Sequence, residues 1–284
     1  MRGGAYSRGV LVLLPPSEGK TAPPATGPTL DLHALSSPAL TEARERVLDA
    51  LVQVSGRPGA LEVLGVGPGL AAEVARNVHL RTAPTAPARR VYTGVLYAAA
   101  GLDRLTPTQR ERAASTVRIV SGLWGAVTPD DPIPAYRLSM GTTLTGVGGL
   151  AAAWRDHLGS VLDPRAEGDL VVDCRSATYA AAWRPPSSAH RVAVQVLREQ
   201  AGTRTVVSHH AKHTRGVLTR HLLTRRGKAP HDADTLAAAA AELIGTSLGT
   251  AGGAGPGTAA SSVLAVELGP TSRTAARVLS LVVS

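Results

Sequence analysis

The sequence predicts a single compact α+β domain over residues 10–284, a mixed β-sheet surrounded by helices. Short apolar runs of strand length alternate with segments of helical periodicity. No interior linker separates two cores. The length of 284 residues, with 44% hydrophobic and 18% charged, is enough for one sizeable core.

Val10–Leu14 reads as a buried strand stopped by Pro15-Pro16. Residues 21–29 form a Pro/Thr/Gly loop. Ser37–Gln53 is predicted helical, because Leu40, Ala43, Val47 and Leu51 recur at helical spacing. Leu61–Leu80 reads as two short helices around Gly65-Val66-Gly67-Pro68-Gly69. Thr82–Arg90 is a loop, and Val91–Leu102 begins strand-like and turns helical. Thr106–Ser115 is a polar helix and Val117–Ser121 a strand. Thr128–Pro134 is a turn, Ala151–His157 a helix, and Leu170–Cys174, Val192–Leu197 and Arg204–Ser208 are strands. Lys212–Thr224 and Thr235–Ile244 are helices. Residues 248–262 are a flexible Gly/Ala-rich loop, and Val263–Leu268 is the last strand.

Composition narrows the function classes. There is no Phe, and the eight aromatics are Tyr6, Tyr92, Tyr97, Trp124, Tyr136, Trp154, Tyr179 and Trp183. The core must therefore be built from Ala, Val, Leu and Ile. Thirty basic against 21 acidic residues give a net charge of +9, which suggests an anionic partner. Only Lys20, Lys212 and Lys228 are lysines; the other bases are arginine. In such a chain a lysine marks a place where a primary amine matters. A single cysteine, Cys174, excludes an intramolecular disulfide framework and fits a reducing cytoplasm. The apolar run Val10–Leu14 is too short for a signal-peptide core, and no membrane span is expected.

Four segments carry candidate chemistry. The Gly65–Gly69 turn looks like the hairpin of a helix-hairpin-helix element near residues 58–80. In such an element Gly65, Gly67 and Gly69 permit a tight backbone that approaches a DNA phosphate. Ser17-Glu18-Gly19-Lys20-Thr21 ends like a P-loop, but Leu14 stands where the first glycine belongs and two prolines remove backbone donors. Ser17, Glu18 and Lys20 remain candidate site residues because they follow a strand end. Between Glu199 and Asp232 lie seven Lys/Arg and five His and no acid. Here His209, Lys212 and Arg215 are candidate anion contacts. His209 and His213 have the spacing of a metal pair but lack a third ligand nearby, so no metal or cofactor is expected. Cys174, beside Arg175, is read as inert core before reactive thiolate.

Several segments together resemble one family. They are LLPPSEGKT (Leu13–Thr21), VYTGVLYAA (Val91–Ala99), IVSGLWGAVTPDDPIPAYRLSMGTTL (Ile119–Leu144), VVDCRSATYAAAW (Val171–Trp183) and VSHHAKHTRGVLTRHLL (Val207–Leu223). Their order and spacing are similar to those of the peroxide-stress protein YaaA family. The resemblance implies a cytoplasmic protein of the oxidative-stress response that limits iron-linked damage. It also implies a positively charged cleft, a helix-hairpin-helix element and binding of double-stranded DNA. Ser17, Lys20, Thr93, Ser121, Tyr136, Arg137, Tyr179, Lys212 and Arg215 fall on its motifs, and Ser176 lies in the same block as Tyr179. The chain departs from the family at Asp173-Cys174-Arg175, where Asn-Leu-Ala is common, and in its Gly/Ala-rich C-terminal stretch.

Two functions follow as expectations. One is a stress protein that binds double-stranded DNA through the hairpin and a basic cleft. The other is an enzyme of specialised metabolism acting on a small anionic or nucleobase-like substrate. In that reading Lys212 or Lys20 is base or nucleophile, with Ser17, Glu18 and Tyr136 beside it. Arg137 and Arg215 are then anion clamps, and Thr93, Ser121, Ser176, Tyr179 and His209 are further contacts.

Overall fold

The computed structural model describes residues 9–207, 209–248, 261–271 and 276–284. Most of the 248–262 loop and Tyr6 lie outside the described residues. A central eight-stranded mixed sheet holds the chain in one domain. Across it run β11 (Val263–Leu268), β12 (Arg277–Val283), β9 (His190–Gln200), β8 (Leu170–Asp173), β1 (Val10–Leu14), β3 (Val117–Ser121) and β4 (Gly125–Val127), and β10 (Thr203–Val206) also pairs with β9. Two-stranded ribbons join β2 (Ala86–Pro87) to β5 (Pro132–Ile133) and β6 (Thr143–Leu144) to β7 (Gly148–Gly149).

The five strands β12, β9, β8, β1 and β3 are mutually parallel. Their neighbours β4, β10 and β11 are antiparallel. Strands covered on both faces must be apolar throughout, and β1 (VLVLL) and β8 (LVVD) are buried at every position. β9 instead alternates, burying Val192, Val194 and Val196.

The helices are α1 (Thr41–Ser55), α2 (Ala60–Val63), α3 (Ala71–Arg76), α4 (Ala88–Val91), α5 (Val95–Ala100), α6 (Pro107–Thr116), α7 (Leu150–Ala166), α8 (Ala177–Ala180), α9 (His209–Thr224) and α10 (Ala233–Ala241). α7 runs nine residues beyond the predicted His157. Leu150, Trp154, Leu158, Leu162 and Ala166 form one buried stripe at four-residue spacing, which carries the helix through Gly159 and Pro164. α6 begins on a capping box, Thr106 with Gln109. Gly216 of α9 faces α5 so closely that an added Cβ would overlap the Leu96 carbonyl.

Three further expectations change. β11 is not the last strand: β12 follows it and inserts between β11 and β9. The Thr82–Arg90 loop contains β2 and the start of α4. Between residues 58 and 80 the helices α2 and α3 are only four and six residues long, joined through a 3-10 turn at Pro68–Leu70. They do not by themselves establish a helix-hairpin-helix.

Below the surface, Arg44 of α1 has no exposed area. Its guanidinium donates to the carbonyls of Trp124 (3.0 Å), Ser36 (2.8 Å) and Ala126 (2.9 Å), tying α1 to the segment leading into β4. Among the described residues, no helix is long and apolar enough to cross a membrane.

Candidate functional site

Parallel strands bring their carboxyl ends to one side of a sheet, where open α/β sheets bind ligands. Here Pro15-Pro16 end β1, so Ser17–Lys20 emerges as a loop at that side. Ser121 ends the adjacent β3, and Ser176 follows β8. Lys20 forms a one-residue β-bridge with Tyr92, bringing the Val91–Ala99 motif alongside.

The Lys20 amine turns inward. Nζ lies 4.3 Å from the Tyr136 ring centre and 5.7 Å from that of Tyr92, a cation–π arrangement. It donates to the Ser17 carbonyl at 2.7 Å and more loosely to that of Glu18 at 3.4 Å. Burial lowers the Lys20 pKa to about 8; Glu18 opposes this, the nearby Arg137 cation adds to it, and Glu73 opposes it more weakly.

A chain of hydroxyls runs beneath. Ser121 Oγ accepts the N–H groups of Leu123 and Trp124, both at 3.1 Å. With both lone pairs engaged, it donates its proton to Tyr136 Oη at 2.6 Å. Tyr136 Oη in turn meets Tyr92 Oη at 2.9 Å. Burial raises the pKa of both phenols, so they stay protonated and act as hydrogen-bond donors. Tyr97 Oη donates to the Pro15 carbonyl at 2.7 Å and braces the turn after β1.

Arg137 closes one side. Its guanidinium meets Glu18 at 3.1 Å and Glu73 of α3 at 3.5 Å. Lys20, Arg137, Glu18 and Glu73 thus form a charge-balanced group, and an anion reaching Arg137 must displace a carboxylate. Asn77 fixes the backbone of Arg137 from both directions. The Arg137 N–H donates to Asn77 Oδ1 at 2.8 Å, and Asn77 Nδ2 donates to the Arg137 carbonyl at 2.9 Å. Asn77 is fully buried. Tyr179 Oη accepts the Met140 N–H at 3.4 Å, and burial, with the Glu18 charge next, pushes its pKa up to about 12.

The structure therefore brings together Ser17, Glu18, Lys20, Tyr136, Arg137, Ser121 and Tyr179. Thr93 lies at the rim, with its hydroxyl 3.4 Å from the Gly19 carbonyl. Other predicted residues do other work. Arg215 donates to the Val194 carbonyl at 3.2 and 2.8 Å, which fastens α9 to β9. Lys212 and Ser176 are exposed, and no hydrogen bond or ion pair of the described residues links either to Lys20 or Arg137. The His209 side chain lies outside the described residues. Gly65, Gly67 and Gly69 are exposed, and of these only Gly65 has a positive φ, +63°. Cys174 is fully buried, and burial pushes its thiol up to about 12, so it is inert core. Among the described residues no three His, Cys, Asp or Glu side chains gather to hold a metal.

Sequence reasoning missed Asn77 and Glu73. Both follow the Gly65–Gly69 turn in the chain, and no spacing signal links them to Arg137. It also missed that two departures compensate. Arg175 Nε and Nη2 pair bidentately with Asp173 at 2.8 and 2.9 Å, and Arg191 adds a contact at 2.9 Å. Burial alone would raise the Asp173 pKa, but the Arg175 hydrogen bonds and the two arginine charges hold it below the usual range.

These features define a mixed α/β protein with a lysine- and tyrosine-lined site at the carboxyl ends of its parallel strands. The family described as peroxide stress protein YaaA matches residues 10–241, and the chain belongs to that family. A UPF0246 protein of Streptomyces coelicolor is 48% identical over 82% of this chain and 90% of its own length. Another, of Corynebacterium efficiens, is 42% identical over 80% and 88%.

Proposed function

We propose that this peroxide-stress family member binds a small polar molecule in the Lys20 site and uses the Lys20 amine as base or nucleophile. The observation that carries the reading is the amine held 4.3 Å over the Tyr136 ring, at the carboxyl ends of β1 and β3. A surface that merely neutralises phosphates gains nothing by taking a lysine out of water. An amine that sheds its proton near neutrality can accept one from substrate or attack a carbonyl carbon, which guanidinium cannot do. The Ser121–Tyr136–Tyr92 hydroxyl chain lies beside it, and the group of Lys20 and Arg137 with Glu18 and Glu73, two cations against two carboxylates, favours a polar ligand over a strongly anionic one.

The test is peroxide survival of cells lacking their own family member and carrying either the wild-type chain or Lys20→Arg. Loss of protection with Lys20→Arg, at equal protein level, supports the reading. Full protection overturns it.

A second reading, contact with double-stranded DNA, is favoured by the exposed turn at Gly65–Gly69, where nothing stands within 4 Å of the space a side chain would fill at Gly65, Gly67 or Gly69. Glu62 and Glu73 beside the turn oppose a phosphate there. Duplex binding that weakens steeply with salt, and weakens further in Gly67→Leu, supports this contact; salt-independent or undetectable binding removes it.

A further inference from the structure

A second cavity of about 500 Å³ shares Tyr92 with the Lys20 site and is lined also by Arg89, Arg90, Thr93, Asp103 and Arg104. Its charges do not balance. Arg89 is ion-paired to Asp130, and Arg104 lies 3.8 Å from Asp103. Arg90 makes no ion pair among the described residues. Arg110 stands close enough to act on Arg89, and its Nε is shut off from solvent with no hydrogen-bond partner among the described residues. Three lining arginines thus face one lining carboxylate, Asp103, with Asp130 and Arg110 outside the lining. Burial first, then the Arg110 and Arg90 charges, press the Arg89 pKa below its ordinary value, with Asp103 opposing.

Like charges held together without compensation are stabilised by a ligand of opposite sign. Guanidinium groups match the oxygens of phosphate in pairs, and a phosphomonoester brings nearly two negative charges to one point. A diester brings one.

We propose that the Arg89–Arg90–Arg104 cavity binds a dianionic phosphate group, that of a small phosphorylated molecule rather than the diester backbone of a nucleic acid. The proposal goes beyond the Lys20 reading and stands without it: Lys20 is not among the residues that line the Arg89–Arg90–Arg104 cavity.

The experiment titrates inorganic phosphate into the full chain by calorimetry, with sodium chloride holding ionic strength constant. The wild type is expected to bind saturably. Arg90→Gln and Arg104→Gln are each expected to weaken binding tenfold or more. Both side chains are exposed, so circular dichroism and thermal unfolding of these variants should stay at wild-type values. Lys20→Met should keep phosphate affinity, which separates failure of this site from failure of the Lys20 reading. Absence of saturable binding, or equal affinity in all variants, overturns the proposal. So does a duplex oligonucleotide that expels bound phosphate and itself loses affinity with Arg90→Gln, because the arginines would then serve a diester.

Discussion

Asp173→Asn removes one charge from the most enclosed ion cluster of the described residues. The side chains of Arg175 and Asp173 are 0% and 2% exposed, whereas Arg191 is 28% exposed. Without the carboxylate charge, the Arg175 guanidinium keeps the carbonyls of Trp183 at 3.0 Å and Tyr179 at 3.4 Å, the Trp183 ring and the neutral amide oxygen, but no buried counter-charge. A buried charge stripped of its partner costs about 3–5 kcal/mol. Arg191 can turn to solvent, so nearly all the cost falls on Arg175. Urea unfolding followed by circular dichroism should show that loss at neutral pH. The double variant Asp173→Asn with Arg175→Leu should recover most of it, because the stranded cation is gone and the Trp183 contact stays apolar. The Asp173 carboxyl is depressed in the folded state, so its contribution is present above about pH 4. It is lost as the pH falls through the lower folded value, and the wild-type acid limb should flatten in Asp173→Asn. A single-variant cost under about 1 kcal/mol, or a double variant no better than the single, would refute the account of these two departures as a matched pair.

Asn77→Ala removes both hydrogen bonds to the Arg137 backbone and should cost about 1–3 kcal/mol in urea unfolding. Gly216→Ala drives a methyl group into the Leu96 carbonyl between α9 and α5. It should lower stability by about 1–3 kcal/mol, read as a lower thermal midpoint, and a wild-type midpoint would show that the helices are not closely packed. Lys20 has a lowered pKa, so between about pH 8 and the unfolded value the unfolded chain binds the extra proton and stability rises with pH. Thermal midpoints measured across that window should rise in the wild type, with a smaller slope in Lys20→Met.

The sheet was legible where strands are covered on both faces, because burial leaves an unbroken apolar run such as Val10–Leu14. β12 carries a comparable run, Val278-Leu279 and Leu281-Val282-Val283, but nothing local says that a strand near the chain end inserts inside a sheet. α7 was cut short because Gly159 and Pro164 weigh against a helix locally, whereas the Leu158, Leu162 and Ala166 stripe outweighs them in the core. At the site, Lys20 was legible from its rarity among arginines and Tyr136 from the scarcity of aromatics. Lys212 shared the first signal, yet it sits exposed on α9. Rarity marks a residue without saying which way its helix turns it. Asn77 and Glu73 come from α3 and the turn after it, about 60 residues from Arg137, and only the fold brings them there. Asp173 and Arg175 were seen as separate departures, and their two-residue spacing alone does not show a shared hydrogen-bonded pair.

The account depends most on the Lys20 amine being closed in over Tyr136 and short of its usual proton affinity. The direct measurement is the pH dependence of its reductive methylation, followed peptide by peptide with mass spectrometry. The predicted rate is half-maximal near pH 8 for Lys20, against about 10.4 for a lysine in a model peptide. A Lys20 profile that coincides with the model peptide would contradict the buried amine and, with it, the base or nucleophile assigned to this site.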